Sequence, residues 1–139
     1  MTSPEDIVRR QLSDSAVKAK TVAGVIGWPI GHSLSPRLHG YWLWENAIDG
    51  AYVPLAVAPE EFAAVIDVLP EMGFAGWNVT VPHKELALAA VTRADDGAAK
   101  IGAVNTVVVT DSGTTVGSNT DGFGFLENLG NGAPDWDPT

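Results

Sequence analysis

Short β-branched runs alternate with helix-patterned segments along most of this chain, and that alternation restricts the fold to α/β layering around a sheet. TVAGVIGW (21–28) breaks at Pro29 and Gly31, as a short buried strand feeding a loop does. From Ser35 the segment SPRLHGYWLWENA places Ser at an N-cap, Pro at N1 and apolar Leu38 and Trp42 at helical spacing. AYVPLAV (51–57) is a second strand, and its Pro54 points to an edge or a strand start. In PEEFAAVIDVLPEMG (59–73), Phe62, Val65, Ile66 and Leu69 share one helical face between first-turn acids and a stop at Gly73. FAGWNVTV (74–81) is a third strand, and Pro82 opens a helix through HKELALAAV. AVNTVVVT (103–110) and TTVGSN (114–119) form a hairpin about DSG, and a last helix starts near Thr120 or Asp121 and runs through FGFLENL.

At 139 residues the chain has the size of one domain, and with 45% hydrophobic and 18% charged residues it is composed to fold. Its 17 acidic and 8 basic residues leave a formal charge of −9, which argues against nucleic acid or anionic membrane as a partner. The chain has no cysteine, so a disulfide framework and a thiolate metal site are excluded and a reducing compartment is expected. MTSPEDIVRRQLSDSAVKAK (1–20) is polar, without the apolar stretch of a signal peptide, and no run approaches the roughly 18 apolar residues of a membrane span. A cytoplasmic location follows as the expectation.

Four segments put polar residues at strand ends and helix starts, where α/β domains bind ligands: GHSLSP (31–36), NVTVPHK (78–84), GAVNT (102–106) and SNTDG (118–122). Ser33 and Ser35 either cap a helix or donate two hydroxyls to a carboxylate, and both can hold at once. Lys84 is either a solvated first-turn lysine or, paired with Asp121, part of a proton-transfer group. Asp121 alone is accounted for as the N-cap or the first-turn acid of the last helix, and Asn78, Thr80 and Asn105 as partners of turn backbone. His32, His39 and His83 have no metal-ligand spacing, so no metal site is expected. Gly122 and Gly124 start a G-x-G, but Glu127 stands where the dinucleotide fingerprint needs its third glycine. Trp42 and Trp44, two apart on a helix, cannot share one face, which leaves one of them exposed or covered by another chain or domain.

In order, GWPIGHSLSPRLHG, GFAGWNVTVPHKE, IGAVNTVV and GSNTDGFGFL resemble the substrate-binding domain of the shikimate dehydrogenase family, over most of residues 22–130. The resemblance implies a three-layer α/β sandwich with a mostly parallel central sheet flanked by helices, plus a C-terminal hairpin. It implies a polar N-terminal extension (1–20), a shikimate-binding domain (21–130) and the start of a linker (131–139) to an NADP-binding domain that is not in this chain. The implied reaction is the reversible reduction of 3-dehydroshikimate to shikimate. NADP is the implied cofactor, held by that further domain, with no cofactor expected in this chain. By motif, Ser33 and Ser35 would hold the substrate carboxylate, and Asn78, Thr80 and Asn105 the ring hydroxyls. Lys84 and Asp121 would carry proton transfer and also touch substrate. The chain alone is expected to bind shikimate or 3-dehydroshikimate without turning it over, and to self-associate through an exposed interdomain face. Quinate or aminoshikimate specificity, and a stand-alone carboxylate-binding module without catalysis, are the alternatives.

Overall fold

The structure, a computed structural model, describes residues 2–136. Its frame is a six-stranded sheet of β1 (Thr21–Gly27), β2 (Gly50–Ala56), β3 (Phe74–Val79), β4 (Arg93–Ala94), β5 (Thr106–Val109) and β6 (Thr115–Ser118), in the order β2-β1-β3-β5-β6-β4. β1 pairs in parallel with β2 and β3, and β4 with β6; β5 runs antiparallel to both β3 and β6. The mostly parallel α/β sheet expected from the sequence is present, and the β5–β6 hairpin is built into it rather than appended. β2 is an edge strand, where Pro54 removes no ladder donor from the interior.

Side chains alternate across a strand, so the two faces of β2 report two different layers. Val53 and Leu55 join the main core with Phe62, Val65 and Ile66 of α4 (Phe62–Val68) and with Leu69 at its end, all of them buried. Each such side chain contributes about 1.5–3 kcal/mol by leaving water. Val8 of α1 (Pro4–Arg9), Ala16 of α2 (Asp14–Lys18), Ala87 of α5 (Lys84–Ala90) and Ala98 of α6 (Asp96–Ile101) complete this core. Tyr52 faces the other way, under α3 (Ser35–Glu45), whose His39 stacks on it. α7 (Asp121–Gly132) closes the described chain. Among the described residues no helix is long and apolar enough to cross a membrane.

Residues 2–20 hold more structure than a polar extension suggests. Ser3 caps α1 by accepting from Asp6 N (3.2 Å), and Ser13 caps α2 by accepting from Ala16 N (3.3 Å). Gln11 then clips the segment to the outer strand: Ala56 N donates to its Oε1 (2.6 Å), and its Nε2 donates to Ala56 O (3.0 Å). An exposed edge thereby gains a partner for backbone groups that would otherwise be open. The linker expected over 131–139 begins inside α7, and its residues 137–139, like Met1 of the extension, lie outside the described residues.

Four local expectations are corrected. The N-cap of α3 is Leu34, not Ser35; the capping-type bond comes from Ser33, whose Oγ accepts from Ser35 N (3.3 Å). Pro82 does not open α5: it lies in the turn before the helix, which begins at Lys84. The helix read over 59–73 is a 3-10 turn, Pro59–Glu61, followed by the shorter α4, whose C-cap is Leu69 and not Gly73; Gly73, at φ 87°, lies in the turn that leads into β3. α3 buries none of its residues fully: Leu38, Trp42 and Trp44 are all exposed, so both tryptophans and not one of them face outward. β4 and α6 carry no expectation; Asp95 caps α6 by accepting from Ala98 N (2.7 Å).

Parallel β1 and β2 approach so closely at Gly24 that a Cβ there would sit 2.5 Å from the Val53 carbonyl oxygen. Backbone cannot yield as a flexible side chain does, so Gly24→Ala is expected to cost about 1–3 kcal/mol in urea unfolding. Gly31→Ala meets nothing within 4 Å and should stay within about 0.5 kcal/mol of the unaltered chain.

Candidate active site

β1, β3 and β6 run the same way, so their carboxyl ends share one edge of the sheet, and β5 begins at that edge. All four polar segments therefore converge there, with α3, α5 and α7 starting from it. Backbone pairing continues past the strand ends and fixes the loops: Thr80 N donates to Ile26 O (2.9 Å) and Trp28 N to Val81 O (3.1 Å).

Asn105 is the hub. Its carbonyl accepts from Val79 N (2.8 Å), and its own N donates to Ser118 O (3.0 Å), joining β3 to β6. Its Oδ1 accepts from Thr120 N (3.1 Å) and Thr106 Oγ1 (2.9 Å), and its Nδ2 donates to Thr120 Oγ1 (3.0 Å). Asn78 joins from β3, its Nδ2 donating to Asn105 O (3.3 Å) and Thr106 Oγ1 (3.1 Å). Asn119 supports the turn before α7: its Oδ1 accepts from Asp121 N (2.9 Å) and its Nδ2 donates to Ala103 O (3.0 Å). Asn and Thr side chains of this length suit such loops because they satisfy nearby backbone groups.

Lys84 Nζ donates to Asp121 Oδ2 at 2.5 Å, bringing the first residue of α5 to the first residue of α7. Val104 N donates to Lys84 O (2.9 Å), which ties the lysine's backbone to the segment before Asn105. The Lys84 ammonium holds the Asp121 carboxyl below its ordinary value against the opposing effect of burial, with a smaller contribution from Asn105.

His83 anchors the lysine from behind. It is fully buried and stacks on Phe62 with centroids 4.6 Å apart, and its Nε2–H donates to Val57 O (2.8 Å). Its Nδ1 is buried without a partner, and burial lowers its pKa, partly offset by the Val57 carbonyl. The ring is thus a neutral wedge that fixes the turn leading into Lys84.

The structure joins Asn78, Asn105, Lys84 and Asp121 through one connected set of contacts. Ser33 and Thr80 stand on the adjoining loops of the same edge and Ser35 opens α3 beside them, with Thr80 packed against Gly27, where a Cβ would come 2.7 Å from Thr80 Cγ2. Beneath α3 lies a cavity of about 220 Å³ that reaches Asn78 and Thr106 and is otherwise lined mainly by apolar surface. Among the described residues no cluster of three His, Asp or Glu side chains could hold a metal ion.

Residues 25–107 match the model of the shikimate dehydrogenase substrate binding domain. The chain belongs to that family. It is 61% identical over 118 residues to Shikimate dehydrogenase (NADP(+)) of Paramagnetospirillum magneticum, which covers 85% of this chain and 43% of the relative. It is 63% identical over 115 residues to the protein of the same name from Rhodospirillum rubrum, at 83% and 41% coverage. The crystal structure of shikimate 5-dehydrogenase from Thermus thermophilus, in complex with NADP(H) and shikimate, superposes with a TM-score of 0.75 at 38% identity over 81% of this chain and 42% of that one. The chain spans about two fifths of the length of these shikimate dehydrogenases.

Thr106, Thr120 and Asn119 stand inside the motifs of this family yet are absent from the seven residues the sequence singles out; the register Asn78↔Thr106↔Ser118 is what reveals Thr106. Tyr52 carries no local signal at all.

The Lys84–Asp121 pair has a definite pH signature. Because the Asp121 pKa is lowered in the folded chain, the pair's stabilisation is present above the ordinary carboxylate value and is lost as pH falls through the folded value. Asp121 is 55% exposed, so the effect on global stability is small and the titration itself is the better measure. NMR of the Asp121 carboxyl should give a midpoint below that of a free aspartate, moving upward in Lys84→Ala; identical midpoints would remove the ion pair from the account.

Proposed function

We propose that residues 21–130 are the substrate-binding and proton-transfer portion of a shikimate dehydrogenase, acting in the reversible, NADP-dependent reduction of 3-dehydroshikimate to shikimate. The observation that carries this reading is the Lys84–Asp121 pair, set beside a connected Asn78/Asn105/Thr120 network at the carboxyl edge of the sheet. Family membership and the names of the relatives support the substrate and the cofactor.

Hydride arriving at the ketone carbon leaves negative charge on its oxygen, and Lys84 is a cation that can hydrogen-bond that oxygen and deliver the proton that makes the alcohol. Asp121 accepts a hydrogen bond from the ammonium and so orients it. Ser33 and Ser35, one preceding and one opening α3, offer hydroxyl donors to the ring carboxylate. Asn78, Thr80 and Asn105 supply short polar groups for the ring hydroxyls, and each unmet polar group in a closed site costs about 1–3 kcal/mol. The hydride comes from the reduced dinucleotide when bound; this chain carries no dinucleotide fingerprint of its own. The exposed Phe123, Phe125 and Leu126 of α7 support a further domain, or a second copy, covering that face.

The purified chain should bind shikimate, with Lys84→Ala and Asp121→Asn each weakening binding about tenfold or more in calorimetry. With 3-dehydroshikimate and NADPH it should show no oxidation of NADPH. Turnover by the chain alone that Lys84→Ala abolishes would refute its assignment as the substrate half only. Tighter binding of quinate than of shikimate would move the specificity to that alternative.

A further inference from the structure

The hydroxyl of Tyr52 reaches the site from outside all four polar segments. Tyr52 lies on β2, separated from β3 by β1, and its hydroxyl donates to Asn78 Oδ1 at 2.6 Å. The direction of that bond is set at the other end of the amide. Asn78 Nδ2 donates to the Asn105 carbonyl and to Thr106 Oγ1, and a carbonyl only accepts, so the nitrogen must face β5 and the oxygen must face Tyr52. His39 of α3 lies flat on the tyrosine ring, with centroids 3.9 Å apart and planes 6° apart, so stacking holds the ring while the hydrogen bond aims it. Burial raises the Tyr52 pKa to about 12, which keeps the hydroxyl a donor throughout the working pH range.

Both Nδ2 hydrogens of Asn78 are therefore committed within the fold, while Oδ1 has used one of its two lone pairs. We infer that Tyr52 is a positioning residue for Asn78, locking its amide so that the free lone pair of Oδ1 is offered to a substrate hydroxyl. Asn78 so held accepts from O–H and cannot serve a ketone or carboxylate oxygen, which only accept; the lock thus selects an alcohol at that position of the ring. Through His39 the same residue ties α3, with Ser33 and Ser35 at its start, to β3, so the carboxylate and hydroxyl sides of the ligand are held at one spacing. The ligand part of this assignment rests on the shikimate-binding reading above.

The test uses the isotopically labelled chain and Tyr52→Phe, which removes one oxygen and keeps the ring on His39. Without ligand, the Asn78 side-chain amide resonances should shift and broaden in the variant, while its melting temperature and backbone spectrum elsewhere stay close to those of the unaltered chain. With ligand, affinity for shikimate should fall about three- to tenfold, while one of the three monodeoxy analogues, the one lacking the hydroxyl that Asn78 reads, should bind both proteins equally. A uniform loss toward shikimate and all three analogues would mean a merely structural tyrosine and would overturn the proposal, as would unchanged amide resonances with unchanged affinity. If Tyr52→Phe does not fold, Asn78→Ala must show the same selectivity, and equal loss toward every analogue overturns it. Failure of the unaltered chain to bind shikimate overturns the functional reading instead, and the ligand-free resonances still decide whether the lock exists.

Discussion

The site depends on how one buried residue, Asn105, satisfies its polar groups. Its backbone bridges β3 and β6 where the hairpin strand β5 begins, and its side chain answers Thr120 and Thr106. Such a group is costly to bury unpaired, so its partners are drawn to it and the loops after β3 and β6 lose their freedom. Lys84 and Asp121 start the helices that follow those loops, and their meeting at 2.5 Å follows from the same constraint. The pair is held by backbone on both sides: by the Val104–Lys84 bond on one and by Asn119 on the other.

A division of labour between the two faces of the sheet makes this affordable in stability terms. One face is sealed by α1, α2, α4, α5 and α6 over an apolar core, with buried His83 wedged against Phe62 and Val57. The other carries Tyr52, Asn78, Thr106 and Ser118 under a helix that buries none of its own residues fully. Apolar burial thus holds the molecule on one side while polar groups remain addressable on the other.

Much of this was open to a reader of the chain. The helical spacing of Phe62, Val65, Ile66 and Leu69 marks a face that is in fact buried, and Pro54 marks a strand that is in fact an edge. The seven residues expected at the site fall in four segments that the topology gathers at one edge, though only four of the seven enter the connected network. What stayed hidden was nonlocal or too short to have a period. β4 spans two residues, and α6 is a six-residue helix rich in Gly and Ala, without an apolar stripe. Ser35 looks like a cap because of Pro36 after it, but the chain turns one residue earlier and the bond falls to Ser33. Tyr52 reaches Asn78 across 26 positions of sequence, a distance over which spacing says nothing.

The most direct test of the central claim is a residue-resolved NMR titration of the chain with shikimate. Saturable shifts are expected at Ser33, Ser35, Asn78, Thr80, Lys84, Asn105 and Asp121, all at the carboxyl edge, with α1, α2 and α6 unmoved. Shifts centred instead on the apolar cavity beneath α3, or no saturable change in a well-folded chain, would contradict it.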